Sequence, residues 1–396
     1  MKPDNEAEFL LACARHQLTP DRGGDIRSAA QKLGDWERLL RIATRHGVVP
    51  ILHRVLSTEC QEVIPASVLG RLGGQYQAVA QHNEILREQL LMLLSSLETQ
   101  DLPALTFKGP ELAAVSYPDP VLRPFGDLDL LVRVPDVPRA SELLRTHGYR
   151  LKAERDWQLF FVNDEGAGVD LHWKLGAEWL PDPGNFQELW ARGQRVAVGG
   201  GSVTTLGWED LLLVLAILLT KDCMYRRQRL IQICDVAALL RTSPSLDWPL
   251  VLKQSQRTGT RRMLLFQLAL AHLMLGVDLP PQVAGSLRND LKARGLAQQV
   301  SGSFFLEADH QRDPSDFRPG PGFAGHSFFL QSRERRVDRV QYVQRVLPGL
   351  LRLAVTPTAR DRAFLPLPEL LRSLYYLVRP VRVVWRWVRS GYLVLD

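Results

Sequence analysis

The hydrophobic period of this chain changes twice, and that change limits the fold more than any other feature. In residues 1–100, and again from Trp208 onward, apolar residues recur every three or four positions, as in 35–42, 75–97, 211–219, 230–240 and 263–275. Such spacing lines one face of an α-helix. From Leu102 to about Leu175 the pattern shortens to β-rich runs at 104–107, 128–134, 159–162 and 168–173, interrupted by one helical stretch over 137–147 that Gly148 closes. A segment with one period does not rest in the other structure. The chain is therefore expected to be α+β, with an N-terminal helical region over 1–100, an α/β core over 101–205, and a C-terminal helical domain over 206–396 that ends in a basic amphipathic tail. Asp35 is the expected N-cap of an early helix, and loops are expected near 199–201 and 318–325.

Composition removes several classes of function. With 396 residues and 45% hydrophobic content, the chain can bury more than one core. Its net charge of +6 permits phosphate ligands, but so small an excess over this length is no nucleic-acid footprint. Cys13, Cys60, Cys223 and Cys234 lie far apart without a CxxC pair, against a disulfide scaffold or a cysteine zinc site and toward a reducing cytoplasm. The first residues lack the apolar stretch of a signal peptide, and no apolar run reaches the roughly 18 residues of a membrane span. The expectation is a cytoplasmic protein, soluble or at most peripheral.

Chemistry concentrates in three runs: Phe107-Lys108-Gly109-Pro110, Arg123 through Val132, and Val169-Asp170-Leu171-His172-Trp173. Strand side chains alternate, so Asp127 and Asp129 share a face while Leu128 and Leu130 point to a core. Two carboxylates that close repel unless a divalent cation compensates, and oxygen ligands suit magnesium or manganese. Asp170, on a second apolar-flanked run, completes a site for metal ions if the two strands are neighbours. Lys108 and Gly109 fall between a predicted strand and a predicted helix, where an unencumbered backbone can approach triphosphate oxygens, and Pro110 fits the first helical turn. Arg123 is placed to grip a phosphate, or else to pair with an aspartate. His172 shares a face with Asp170 and could orient that acid, touch substrate, assist proton transfer or serve as a hydrogen-bonded structural residue, while Trp173 reads as core. Asp235, in an apolar helix, either approaches this site or forms an internal salt bridge.

These residues resemble the nucleotidyltransferase superfamily typified by DNA polymerase beta, whose signature is a strand–Gly–helix turn, an Asp-x-Asp strand and a third acid on a later strand. More closely, the chain is similar to a bacterial family of uncharacterised nucleotidyltransferase-like proteins, through Lys108, Gly109, Arg123, Asp127, Asp129, Asp170, His172 and Trp173. The resemblance extends to the Asp35-Trp36 helix, to Ile233-Cys234-Asp235-Val236, and to the stretch from Leu365 to Pro380. It implies a polymerase-beta-like core with a small mixed sheet, flanked by helical regions that form a cleft for the acceptor. It also implies a nucleotidyltransferase that moves a nucleoside monophosphate from ATP or GTP, with Mg2+ or Mn2+, to an unidentified acceptor, a hydroxyl in preference to a phosphate or carboxylate, with a peptide natural product such as a lasso peptide, or a saccharide, as examples. Asp127 and Asp129 would bind both metals and Asp170 the catalytic one, helping to deprotonate the acceptor, while Lys108, Gly109 and Arg123 would hold the triphosphate. Two departures stand out: Gly109 precedes Asp127 by 18 residues, more than the superfamily's usual dozen or so, and Lys221 and Tyr225 replace histidines common in the closer family. The alternative within the same fold is a catalytically inactive nucleotide-binding scaffold.

The last part of the chain, from Glu369 to Ser390, carries five arginines and one glutamate among leucines, valines, tyrosines and tryptophans. Such a helix can lie on an anionic membrane or grip an acidic partner. It can equally pack its apolar side on the body with its arginines solvated. Pro366 and Pro368 mark its expected start, and Pro380 an expected kink.

Overall fold

The computed structural model describes residues 5–18, 25–243, 245–305, 322–366 and 368–390. Seven strands form one mixed sheet: β1 (Ala104–Thr106), β2 (Asp127–Val132), β3 (Arg150–Arg155), β4 (Gln158–Val162), β5 (Gly168–His172), β6 (Gln194–Val198) and β7 (Gly201–Thr205). Their order is β3-β4-β5-β2-β1-β7-β6. At the centre, β2 runs antiparallel to β1 and parallel to β5, with Asp127 opposite Gly168, Asp129 opposite Asp170 and Leu131 opposite His172.

The period-two alternation of β2 assigns its two faces. Leu128, Leu130 and Val132 pack with Val169 and Leu171 of β5 against Leu86, Leu90, Leu93 and Leu97 of the long helix Ala66–Glu98 and against Leu143 and Leu144 of helix Val137–Thr146. Each such buried leucine contributes roughly 1.5–3 kcal/mol. A one-residue slip would put Asp127 and Asp129 into that core, so the register is strongly specified. The opposite face, with Leu131, looks toward a second and larger core.

That larger core unites helices from both ends of the chain, among them Asn5–Leu18, Trp36–His46, Trp208–Met224, Leu230–Thr242 and Arg261–Leu275. The two helical regions expected to flank a cleft share one continuous interior. Asp35 is the N-cap anticipated for Trp36–His46, its Oδ1 accepting from the Arg38 N–H at 2.8 Å, and Gly47 ends the helix in the left-handed conformation.

Three strands escaped the sequence pattern. β3 is an edge strand of mostly exposed, charged residues, with no apolar alternation to reveal it. β6 and β7 form a hairpin around Gly199 and Gly200, whose φ values are +48° and +82°. The expected loop at 199–201 is thus a tight turn, and Gly201 already belongs to a strand. Of the loop expected at 318–325, residues 318–321 lie outside the described part and Gly322–Ser332 is helical.

The C-terminal end corrects another expectation. Helix Tyr375–Ser390 contains Pro380 and is preceded by a 3-10 turn over Glu369–Leu374. Arg379 and Arg382 are not solvated; they are buried around Asp361, while Leu377 and Val381 face solvent. The side chains of residues 383–390, with Trp385, Arg386, Trp387 and Arg389, lie outside the described part. Among the described residues no helix is long and apolar enough to cross a membrane.

Candidate active site

The site begins where β1 ends. Lys108 adopts φ +59°, the left-handed region, at a cost of roughly 1 kcal/mol for a residue with a Cβ. That turn brings its Nζ to 2.9 Å from Oδ2 of Asp129, with the lysine side chain 28% exposed and the aspartate buried. Gly109 follows as the N-cap of helix Pro110–Ser116, which has Pro110 in its first turn as expected. Its N–H donates to Oε1 of Glu111 at 3.0 Å, and a Cβ at Gly109 would stand only 3.0 Å from Oε2 of the same carboxylate. Glycine is what lets this buried carboxyl fold back beneath the turn. Burial pushes the Glu111 carboxyl up, with the Gly109 N–H opposing it.

The structure brings Asp129, Asp170 and His172 together. One ligand atom from each lies within 4.8 Å of the others. His172 Nε2 is 3.0 Å from Oδ1 of Asp129, and its ring meets Phe107 edge-on at 5.2 Å. Gln158, from β4, donates to Oδ1 of Asp170 at 2.5 Å. Asp127 stands at the start of β2, half-buried, and interacts electrostatically with Asp129 and Lys108, but His172 completes the tight trio in its place.

Acid outnumbers base here, and the carboxyls respond differently. Burial works against ionising Asp129, but Lys108 and His172 outweigh it and hold this carboxyl below its usual range. Asp170 lacks so close a cation: burial, with the neighbouring Asp129 and Asp127, pushes it up to about 6 despite His172 and Lys108. Burial and Asp129 also raise Asp127. Lys108 stays firmly protonated, since Asp129 and Asp127 overcome its desolvation. From helix Trp208–Met224, Lys221 adds a second cation toward this group, its ammonium lowered by burial and by Lys108, though Asp222 and Asp129 oppose that.

Arg123 takes a different place from the phosphate-gripping one expected. It is buried, with Nε 2.7 Å and Nη2 2.9 Å from the two oxygens of Asp235, and Nη1 on the Gly109 carbonyl at 3.4 Å. Tyr117 donates to the same aspartate at 2.8 Å. The guanidinium is committed to a buried pair that ties helix Leu230–Thr242 to the back of the Lys108–Gly109 turn, which also settles Asp235 as a salt-bridge partner. Sequence reasoning missed Glu111, Gln158 and Tyr117. Glu111 reads as an ordinary first-turn acid that complements a helix dipole, and Gln158 reaches Asp170 only because β4 pairs with β5.

An Asp-x-Asp strand paired in parallel with a third acid, beside a Lys-Gly turn, defines a nucleotidyltransferase core. The chain belongs to the family of uncharacterised nucleotidyltransferases, whose model matches residues 32–276. No curated protein matches it. Among solved structures it is similar to the lincosamide antibiotic adenylyltransferase LnuA bound to lincomycin, at 15% identity and TM-score 0.26, over 32% of this chain and 83% of that one. It is also similar to the antibiotic-resistance factor ANT(2'')-Ia, at 13% identity and TM-score 0.29, over 56% of this chain and 99% of that one.

Proposed function

We propose that this nucleotidyltransferase uses Asp127, Asp129 and Asp170 to move a nucleoside monophosphate from ATP or GTP to a hydroxyl of a peptide natural product, such as a lasso peptide, or of a saccharide. The observation that carries this reading is the register of β2 and β5, which sets Asp129 directly opposite Asp170. In the reaction the acceptor oxygen bonds to the α-phosphorus, the bond from that phosphorus to the β-phosphate bridging oxygen breaks, and pyrophosphate leaves. The hydroxyl proton passes to Asp170, the carboxylate that stands opposite Asp129 on the neighbouring strand.

The carboxylate oxygens of Asp129 and Asp170 fit Mg2+ or Mn2+, with more acid than base around them. Asp129, Asp170 and His172 would hold the ion, with Asp127 beside them. When bound, the cation neutralises charge on the triphosphate and on the developing pyrophosphate. Lys108 now covers Asp129; its partly exposed, flexible stem lets it exchange that carboxylate for a phosphate oxygen. Gln158 fixes the orientation of Asp170, and Arg123 with Asp235 fixes the turn that carries Lys108.

One observation favours the silent scaffold: the Gly109 N–H and the Lys108 ammonium are both satisfied by the protein's own carboxylates. Pyrophosphate release with ATP or GTP, Mg2+ and a panel of peptide and saccharide acceptors separates the two readings. Transfer should fall about a thousandfold in Asp127→Ala with the circular dichroism unchanged. Nucleotide binding without release by the unmodified chain, or full activity in that variant, overturns the catalytic reading.

A further inference from the structure

Exposed apolar surface is concentrated at one end of this molecule. Of the eighteen large hydrophobic residues exposed among the described residues, thirteen fall between Val337 and Val381, beyond the family match. On helix Arg336–Val355, Val337, Val340, Leu347 and Leu351 lie in an arc of roughly 80°, taking about 100° per residue. That arc is opposite Tyr342, which packs on Trp179 and Phe329. The helix is therefore apolar on the side that Tyr342 packs and also along this exposed arc.

The first half of helix Tyr375–Ser390, residues 375–382, is turned inside out for a helix in water. Arg379 and Arg382 are 1% and 7% exposed, held on Asp361, whereas Leu377 and Val381 are 68% and 70% exposed. Water would favour the reverse arrangement. Charge narrows what the covering surface is. Residues 336–390 contain eleven arginines and three carboxylates, a surplus that alone exceeds the +6 of the whole chain. Each carboxylate is already paired: Asp338 with Arg333 and Arg335, Asp361 with Arg379 and Arg382, and Glu369 with Arg372. A second copy would bring the same positive surplus and no uncommitted acid. The fitting occupant is extended, apolar and anionic.

We propose that this end of the protein docks on a bilayer surface rich in anionic lipid, laying the Val337–Leu351 stripe and the Leu377–Val381 face into the headgroup boundary with arginines on the phosphates. The docking segment is tied to the nucleotidyltransferase core: Arg345 donates to the Glu178 carbonyl, and Tyr342 packs on Trp179, in the loop that follows β5 and His172. Docking thus ties the loop that follows β5 to the membrane-bound end of the protein.

Co-sedimentation of the full chain with phosphatidylcholine vesicles, with or without phosphatidylglycerol, tests this. Binding should be at least about tenfold tighter on the anionic vesicles and weaken with added salt. The double variant Leu377→Ser/Val381→Ser should lose about tenfold in vesicle affinity, and Arg336→Gln/Arg352→Gln roughly fivefold per charge. All four positions are exposed, so far-UV circular dichroism and Mg2+-dependent ATP binding should not change. Absent or equal binding to both vesicle types overturns the proposal. So does a Leu377→Ser/Val381→Ser variant that binds vesicles normally but loses a concentration-dependent dimer in sedimentation velocity.

Discussion

The two ends of this molecule bury charge with opposite imbalance. At the sheet, Asp127, Asp129 and Asp170 share the nearby ammonium of Lys108, and the surplus acid shows as raised Asp127 and Asp170 carboxyls. At the C-terminal end a single acid, Asp361, faces Arg379 and Arg382. Burial would raise its carboxyl, but the Thr358 hydrogen bonds and the two arginines hold it low. The first arrangement is destabilised by its own charges and gains from admitting a cation. The second is internally saturated and acts as a clasp. Between them stands the balanced pair Arg123–Asp235. Buried charge marks a reaction site only where the acids are left short of partners.

The largest test of this contrast is the balanced pair. Arg123→Ala should cost about 3–5 kcal/mol, because Asp235 is left buried without its cation. Urea denaturation measures it. Unchanged stability with weakened ATP binding would return Arg123 to the phosphate site and undo the distinction. Next is the clasp: Asp361→Ala should cost about 3 kcal/mol, expressed locally as faster amide exchange along Tyr375–Ser390 with little change in the sheet.

The smallest effect has the opposite sign. Asp170 is raised to about 6 when folded, above its unfolded value, so its contribution favours the native state at low pH and is lost as pH rises through about 6. Asp170→Asn should therefore stabilise the metal-free protein at neutral pH by on the order of 1–2 kcal/mol, a gain that vanishes toward pH 4. Asp361, held low, loses its contribution only at more acid pH. Thermal melts across pH, with Mg2+ or EDTA, check both, and Mg2+ should raise the melting temperature of the unmodified chain far more than that of the variant.

Much of the site was legible because a strand has a rigid period. Alternation alone put Asp127 and Asp129 on one face, and Asp170 with His172 on another strand's like face. The Lys108–Gly109 turn announced itself by its place between strand and helix. The two readings of Arg123 stayed open because an arginine's reach admits a phosphate and an aspartate equally, and Asp235 lies 112 residues away in sequence. β3 stayed hidden because an edge strand can be polar on both faces. The burial of Arg379 and Arg382 could not be read at all: helical spacing shows that a basic face exists but not which neighbour it meets.

Sequence by itself determined the α+β order of regions, the shared face of the paired aspartates, the strand-to-helix turn and the surplus of arginine in the last part of the chain. These are set by local geometry and by counting. Tertiary structure alone decided that Asp129 stands opposite Asp170, that Lys108 covers Asp129 while Arg123 serves Asp235, and that the terminal helix turns leucine and valine outward. Each of these depends on contacts between residues distant in the chain, where the outcome rests on which charges and apolar surfaces the fold brings together.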